Sequence, residues 1–87
     1  MDVWYRAYFD LVGTGDMTDE CRCISIEPPV TDEKIAQADA EAIEWANDYA
    51  AEGAYFADDE HVELDLVELH EVDGNKECFP NIRCVWN

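Results

Sequence analysis

Carboxylates are the side chains of this sequence whose number and spacing could support chemistry. The span 35–75 contains no Lys or Arg, and acidic residues occur five times in 35–52 and eight times in 58–73. The acids are Asp39, Glu41, Glu44, Asp48, Glu52, Asp58, Asp59, Glu60, Glu63, Asp65, Glu68, Glu71 and Asp73. Carboxylates on a rigid element attract cations and form bidentate pairs with guanidinium groups. The pattern therefore predicts a surface that binds positive charge.

The net charge limits the classes of partner that this surface can have. Five Lys plus Arg against 22 Asp plus Glu give a net charge of −17 in 87 residues. Because self-repulsion of that size destabilises a compact state, the acidity needs a reason. Three reasons compete: a basic protein partner, a saline environment that screens the repulsion, or binding of metal cations. Direct binding of nucleic acid or of an anionic membrane is excluded by the sign of the charge.

Other reactive side chains form no motif that indicates catalysis or a cofactor. Cys21 and Cys23 are separated by one residue and Cys78 and Cys84 by six positions, whereas zinc sites use spacings such as C-x2-C. Ser25 is the only serine and lies in no nucleophile-elbow motif. We therefore expect no enzyme activity, no bound metal and no cofactor. A cross-strand disulfide from Cys21 or Cys23 to Cys84 stays open.

A long helix is predicted to carry the first group of acids. Thr31 is a suitable N-cap, the span 32–52 lacks Pro and Gly, and Gly53 follows as a stop. One stripe at helical spacing is apolar and should be buried. Its members are Ile35, Ala38, Ala42, Trp45, Ala46 and Tyr49. Beside that stripe, the same periodicity groups the acids Glu41, Glu44, Asp48 and Glu52.

Four strands are predicted around this helix. The span 3–12 alternates with Val3, Tyr5, Ala7, Phe9 and Leu11 on one face, 13–20 has loop composition, and 21–27 is a short second strand. In 58–73 the inward residues are Val62, Leu64 and Leu66 and then Val67 and Leu69, and this change of parity at 66–67 indicates a β-bulge. The span 72–77 is a turn, and 77–86 is a fourth strand with Cys78, Ile82, Cys84 and Trp86 on one face.

Together these elements predict one α/β (α+β) domain over 1–87. Its four-stranded antiparallel sheet has one long helix packed on one face, in the order ββαββ. The loop acids Asp58, Asp59 and Glu60 should extend the helix stripe around a rim. Tyr55 and Phe56, in the same loop, either pack under the loop or cover the second face of the sheet, or one of them is an interface anchor beside these acids. Glu63, Asp65 and Glu68 should line the outer face of the sheet. The predicted partner-binding residues are Glu41, Glu44, Asp48, Glu52, Tyr55, Asp58, Asp59, Glu60, Glu63 and Asp65.

In size, charge and compact α/β pattern, the whole chain resembles small acidic inhibitors encoded by phages, such as anti-CRISPR proteins and other DNA mimics. The resemblance implies a protein that occupies the basic nucleic-acid-binding site of a host protein or nuclease complex. The alternatives are an acidic structural or interaction module adapted to high salt and, third, a metal-binding regulator. Because the N-terminus lacks the pattern of a signal peptide and no apolar run could span a bilayer, we expect a cytoplasmic protein.

Overall fold

The computed structural model describes residues 1–55, 60–74 and 81–87. Four strands form one antiparallel sheet in the order β2-β1-β5-β6, and a 21-residue helix covers one of its faces. This confirms the predicted fold class. The elements are β1 Asp2–Leu11, β2 Asp16–Ser25, α1 Asp32–Glu52, β3 Ala54–Tyr55, β4 His61–Val62, β5 Leu64–Val72 and β6 Asn81–Trp86. Among the described residues, the short strands β3 and β4 pair with each other. Strand β3 was not predicted, and β4 lies within the predicted third strand, which is interrupted at Glu63 before β5 begins.

The core lies between α1 and the inner face of the sheet. Alternation along β1 buries five of its residues, as predicted, and the largest fully buried side chains are Tyr5, Phe9 and Leu69. The helix contributes Ala38, Ala42 and Ala46, all within 3% exposure. Small residues on the helix and large ones on the sheet let the two layers approach closely.

The ends of α1 follow from the residues that cap it. Thr31 is the N-cap, and its hydroxyl accepts a hydrogen bond from the Lys34 backbone N–H at 3.3 Å. Asp32 and Glu33 occupy the first turn, where the helix dipole favours negative charge. Gly53 ends the helix with φ 75° and ψ −168°, a conformation that only glycine adopts without strain. The predicted bounds 32–52 are therefore confirmed.

The predicted loop over 13–20 is wrong, because β2 already begins at Asp16. A tight turn joins it to β1, with Thr14 N–H donating to the Leu11 carbonyl at 3.0 Å and with positive φ at Gly13 and Gly15. Strand β2 is an edge strand whose residues are mostly exposed, so its Asp, Thr and Glu side chains remain hydrated. The polar residues of this segment therefore reflect the exposure of an edge strand and not a loop.

The predicted bulge in the third strand is confirmed, but the predicted inward orientation of Val67 is not. Tyr8 pairs with Glu68 and Phe9 pairs with Leu66, so Val67 is the extra residue of β5. This insertion keeps both Leu66 and Leu69 toward the core. Val67 itself is 39% exposed, so the prediction that it points inward is wrong.

The fourth strand is shorter and less regular than the predicted 77–86. Strand β6 spans Asn81–Trp86, and its ladder with β5 has two register shifts. The ladder pairs Cys84 with His70 and Trp86 with the core residue Leu69, while Ile82 is 56% exposed. The predicted common face for Ile82, Cys84 and Trp86 is therefore wrong, because each shift changes the parity of the strand. Cys78 lies outside the described residues.

The strand order also excludes the disulfide that the sequence left open. Cys21 and Cys23 lie on β2 and Cys84 lies on β6, and these strands are the opposite edges of the sheet. Three strand spacings separate them, about 14 Å, which far exceeds the reach of a disulfide. All three are free thiols.

A hydrogen-bonded ion pair fastens α1 to the far edge of the sheet. Both terminal nitrogens of Arg83 lie 2.9 Å from the Asp39 carboxylate, and its Nη2 lies 3.1 Å from Glu71 Oε1. The Tyr5 hydroxyl donates to Asp39 Oδ1 at 2.7 Å. Burial alone would raise the pKa of Asp39, but the hydrogen bonds from Arg83 and Tyr5 and the charge of Arg83 hold it below its usual value.

Substituting Asp39 should reveal this ion pair as a pH-dependent stability term. A carboxyl whose pKa is depressed by folding stabilises the fold above its unfolded pKa of about 3.9, and the contribution disappears as pH falls through the folded value. We expect Asp39→Asn to lower the free energy of unfolding by about 1–2 kcal/mol at pH 7. The difference from the parent should shrink below about pH 4 in urea titrations.

Asp48→Asn is the matched control, because Asp48 is exposed on the same helix and lacks a cationic partner among the described residues. It should leave stability unchanged or slightly higher. Equal losses of stability in the two variants would show that the Asp39–Arg83 ion pair makes no specific contribution to the free energy of unfolding.

Two glycines with positive φ should respond differently to alanine. Space around Gly13 is open, so Gly13→Ala adds only backbone strain, about 1 kcal/mol. A Cβ on Gly53 would collide with the ring of His61, whose Nε2 lies 3.0 Å from the Glu52 carbonyl oxygen. We expect Gly53→Ala to cost about 3 kcal/mol or more by thermal or urea unfolding. A Gly53→Ala loss no larger than that of Gly13→Ala would contradict the contact.

Candidate functional site

The most distinctive surface of the molecule is a groove between α1 and the edge strand β2. The helix contacts β5 most and also contacts β1 and β2, and a gap remains between its exposed flank and β2. The gap has a volume of about 440 Å³. It is lined by Arg22, Glu41, Glu44, Trp45, Asp48, Tyr49 and Glu52. We name this surface the carboxylate groove.

Four of the acids predicted to bind a partner form the helical wall of this groove. Glu41, Glu44, Asp48 and Glu52 are all exposed, and their spacing of three or four residues stacks them along one flank of α1. Like charges at that spacing destabilise a helix by about 0.2–0.5 kcal/mol per pair. The capping interactions at both ends of α1 and the packing of its buried face compensate for this repulsion.

The opposite wall comes from β2 and was not predicted. Glu20 and Arg22 pair with Ala7 and Tyr5, so they share the inner face of the sheet with those core residues. They extend past the core toward α1, where the Tyr49 hydroxyl donates to Glu20 Oε1 at 3.2 Å. Glu20 thus adds a fifth carboxylate to the groove region, and Arg22 is the cation that lines it.

Aromatic side chains fix the floor of the groove to the core. The Tyr49 ring lies 5.1 Å from the ring of Phe9, which is fully buried, and 6.2 Å from the ring of Trp45. Burial raises the pKa of the Tyr49 hydroxyl, and the charge and hydrogen bond of Glu20 and the charge of Glu52 raise it further. Tyr49 therefore stays protonated and holds Glu20 in place.

Glu60 occupies a second depression, at the end of the sheet where α1 also ends. This depression has a volume of about 230 Å³ and is lined by Leu11, Thr14, Asp16, Glu60 and Val62. The contact of His61 with the Glu52 carbonyl brings the β4 strand to the helix terminus. Glu60 therefore lies beyond the end of the acidic stripe, as expected for a rim residue. Phe56, Asp58 and Asp59 lie outside the described residues.

The remaining predicted residues do not line the groove. Tyr55 is 73% exposed on β3 and its ring packs against His61 at 5.0 Å. The Glu63 carbonyl accepts a hydrogen bond from Val12 N–H at 3.0 Å, beside the β1–β2 turn. Asp65 pairs with Asp10 on the sheet face that α1 leaves uncovered. The sheet separates Asp65 from the carboxylate groove, so the predicted residues belong to at least two surfaces.

The uncovered sheet face carries a row of polar and sulfur-containing side chains. The ladders align Cys21, Arg6, His70 and Cys84 across the four strands. Arg6 is only 4% exposed, and its Nε lies 3.4 Å from Asp19 Oδ2. The His70 ring meets the edge of Tyr8 at 5.8 Å and lies 3.2 Å from Glu68 Oε2. The contacts of Arg6 with Asp19 and of Tyr8 with His70 join neighbouring strands, whereas His70 and Glu68 lie on the same strand.

Within 1–55, 60–74 and 81–87, no cluster of three or more His, Cys, Asp or Glu side chains has the geometry to hold a metal ion. No helix in the described part of the chain has both the length and the apolar character needed to cross a membrane.

Among the described residues, the four helical acids of the carboxylate groove have no salt-bridge partner. Comparison of the chain with models of protein families, with curated proteins and with solved structures found no match.

Proposed function

We propose that this protein is an acidic binding protein that inhibits a nucleic-acid-binding protein or complex by occupying its basic site, as an anti-CRISPR-like DNA mimic does. One observation carries the proposal. Four helical carboxylates and Glu20 are held around one groove, and Arg22 is the basic residue that lines it.

The spacing of the charges supports mimicry of a nucleic acid backbone. Glu41 to Glu52 spans eleven residues of α1, which corresponds to about 16 Å along the helix axis. Four carboxylates over that length give one charge per about 5.5 Å, against 3.4 Å for one strand of B-DNA. The helix therefore presents more than half the linear charge density of a DNA strand.

The chemistry of the carboxylates suits the side chains that bind phosphates. Arg binds carboxylate and phosphate through the same pair of parallel N–H donors, and Lys binds both as a point charge. A basic site that evolved for phosphates can therefore accept this wall without rearrangement. The net charge of −17 adds long-range attraction that speeds association and weakens with salt.

Rigidity further supports a binding role. The groove wall belongs to a helix capped at both ends, and the floor is tied to Phe9 through Tyr49. The backbone that carries these charges loses little conformational freedom on binding, so the ordering cost is limited to the carboxylate side chains themselves.

A pair of triple variants tests the proposal. Glu44→Gln, Asp48→Asn and Glu52→Gln remove three charges from the groove, while Glu63→Gln, Asp65→Asn and Asp73→Asn remove three charges at exposed positions outside it. Immobilised parent protein should retain nucleic-acid-binding proteins from a nuclease-treated extract of the native host, and added duplex DNA should displace them. We expect the groove triple to lose at least tenfold in retention, which corresponds to about 1.4 kcal/mol.

The control triple should retain its partners nearly as well as the parent. Equal losses in both triples would mean that total charge rather than the groove determines binding. Retention that is unchanged in the groove triple, or that DNA does not displace, would contradict the proposed function.

A further inference from the structure

Strand β2 has a free edge beside the carboxylate groove. Among the described residues it pairs only with β1, and the ten pairs from Asp2↔Ser25 to Leu11↔Asp16 run without a register shift. An edge of that length offers a row of backbone donors and acceptors to another strand. The other edge, β6, has two register shifts in six residues, a feature that impedes further pairing.

The hydrogen bonds at the end of the hairpin identify which backbone groups of β2 point outward. Met1 and Ile26 exchange two bonds, Ile26 N–H to the Met1 carbonyl at 2.7 Å and the Met1 amino group to the Ile26 carbonyl at 2.9 Å. Antiparallel pairs alternate between bonded and non-bonded along a regular ladder. The outward groups therefore belong to Met17, Asp19, Cys21, Cys23 and Ser25.

A strand added at this edge would run along the open side of the carboxylate groove. It would lie about 4.8 Å from β2, on the side away from β1. A second depression, of about 220 Å³, shares Glu41 with the groove and continues it past Ile24 and Ile26. Together the two depressions follow β2 through its C-terminal half.

Because successive side chains of a strand point to opposite faces, the groove determines which residue types are favoured at every second position of an added strand. Alternate side chains would enter the groove and meet Glu20 and the four helical carboxylates, so Arg or Lys is favoured at those positions. A second copy of this chain is disfavoured by charge. Although Arg22 of each copy could face Glu20 of the other, pairing of two β2 edges would bring together two chains of net charge −17 and place the carboxylates of both helices on the same face of the sheet. The carboxylates thus identify the occupant, and the unpaired backbone edge provides the docking site.

We infer that β2 binds an extended basic segment of the partner as a fifth strand of the sheet, with alternate Arg or Lys side chains in the carboxylate groove. This inference rests on the proposed function and specifies how the basic partner is held. Main-chain hydrogen bonds supply affinity in such strand addition, and alternate side chains supply specificity.

Two synthetic peptides of equal charge separate strand addition from simple attraction. One alternates Arg with Thr over about ten residues, and the other alternates Arg with Pro, which lacks the N–H groups of a ladder. By calorimetry at moderate salt, we expect the Arg–Thr peptide to bind at least tenfold more tightly. Its binding should also slow hydrogen exchange at the outward amides of Asp19, Cys21 and Cys23, while the inward amides of Glu20 and Arg22 are already protected.

Variants of the β2 edge complete the test. Cys23→Pro removes an outward N–H without removing a bond to β1, and Cys23→Ala is its control because it keeps that N–H. Met17→Pro and Met17→Ala repeat the comparison at an exposed position, so that a fold defect at one site does not obscure the result. Each Pro variant should lose about fivefold or more in Arg–Thr affinity relative to its Ala control.

The outcomes distinguish this inference from the function on which it rests. If both peptides bind equally and the groove triple loses both, the acidic groove binds basic partners but strand addition is wrong. If the Arg–Thr preference persists in both Pro variants, the β2 edge is not the docking site. If neither peptide binds the parent, the inference is overturned, and the host-extract experiment decides the proposed function independently.

Discussion

The fit of an alanine face on α1 against large residues of the sheet is the constraint on which the rest of the structure depends. Ala38, Ala42 and Ala46 bring the helix close to Tyr5, Phe9 and Leu69. The bulky residues Trp45 and Tyr49 are displaced to the flank, where they are only partly buried. They occupy part of the space between the helix and the sheet and leave the groove beside β2 open. The carboxylate groove exists because this packing is tight at its centre and open at one side.

The few basic residues are distributed in a way that leaves the groove negative. Arg83 holds Asp39 and Glu71 on the β6 side of the helix, and Arg6 lies against Asp19 on the uncovered face. Lys34 donates to the Glu27 carbonyl near the start of α1. These cations join elements of the fold, so the acids of α1 that face β2 keep most of their field. Of the described basic residues, Arg22 alone lines the groove, where it faces the four helical carboxylates and lies on the same sheet face as Glu20.

The parts of the fold that local chemistry determines could be predicted from the sequence. Thr31 and Gly53 set the limits of α1, alternation set the inner face of β1, and the parity change at 66–67 located the bulge at Val67. The start of β2 was missed because an exposed edge strand tolerates polar residues. The shifts in β6 were missed because they depend on pairing with β5, which no local pattern encodes.

In the candidate site too, some features could be predicted from local sequence and others depend on how the helix and the strands pack. Helical periodicity was sufficient to group Glu41, Glu44, Asp48 and Glu52, but the opposite wall depends on where the helix lies across the sheet. Glu20 and Arg22 could have been assigned to it had β2 been extended back to Asp16, since alternation with Cys21 and Cys23 places them on the inner face. Asp65 lies on the outer face of the sheet, as strand alternation predicted, so the sheet separates it from the groove although it had been assigned to partner binding with the helical acids.

The regular ladder between β1 and β2 also constrains how this protein can diverge. A single-residue insertion or deletion inside β2 would exchange its two faces, so that Asp19, Cys21 and Cys23 would replace Glu20 and Arg22 beside the helix. Changes of length are therefore confined to the β1–β2 turn or to the segment that follows Ser25. We expect homologous chains to vary the groove by substitution at fixed spacing, so the intervals between Glu20, Arg22 and the acids of α1 are a signature by which distant relatives can be sought.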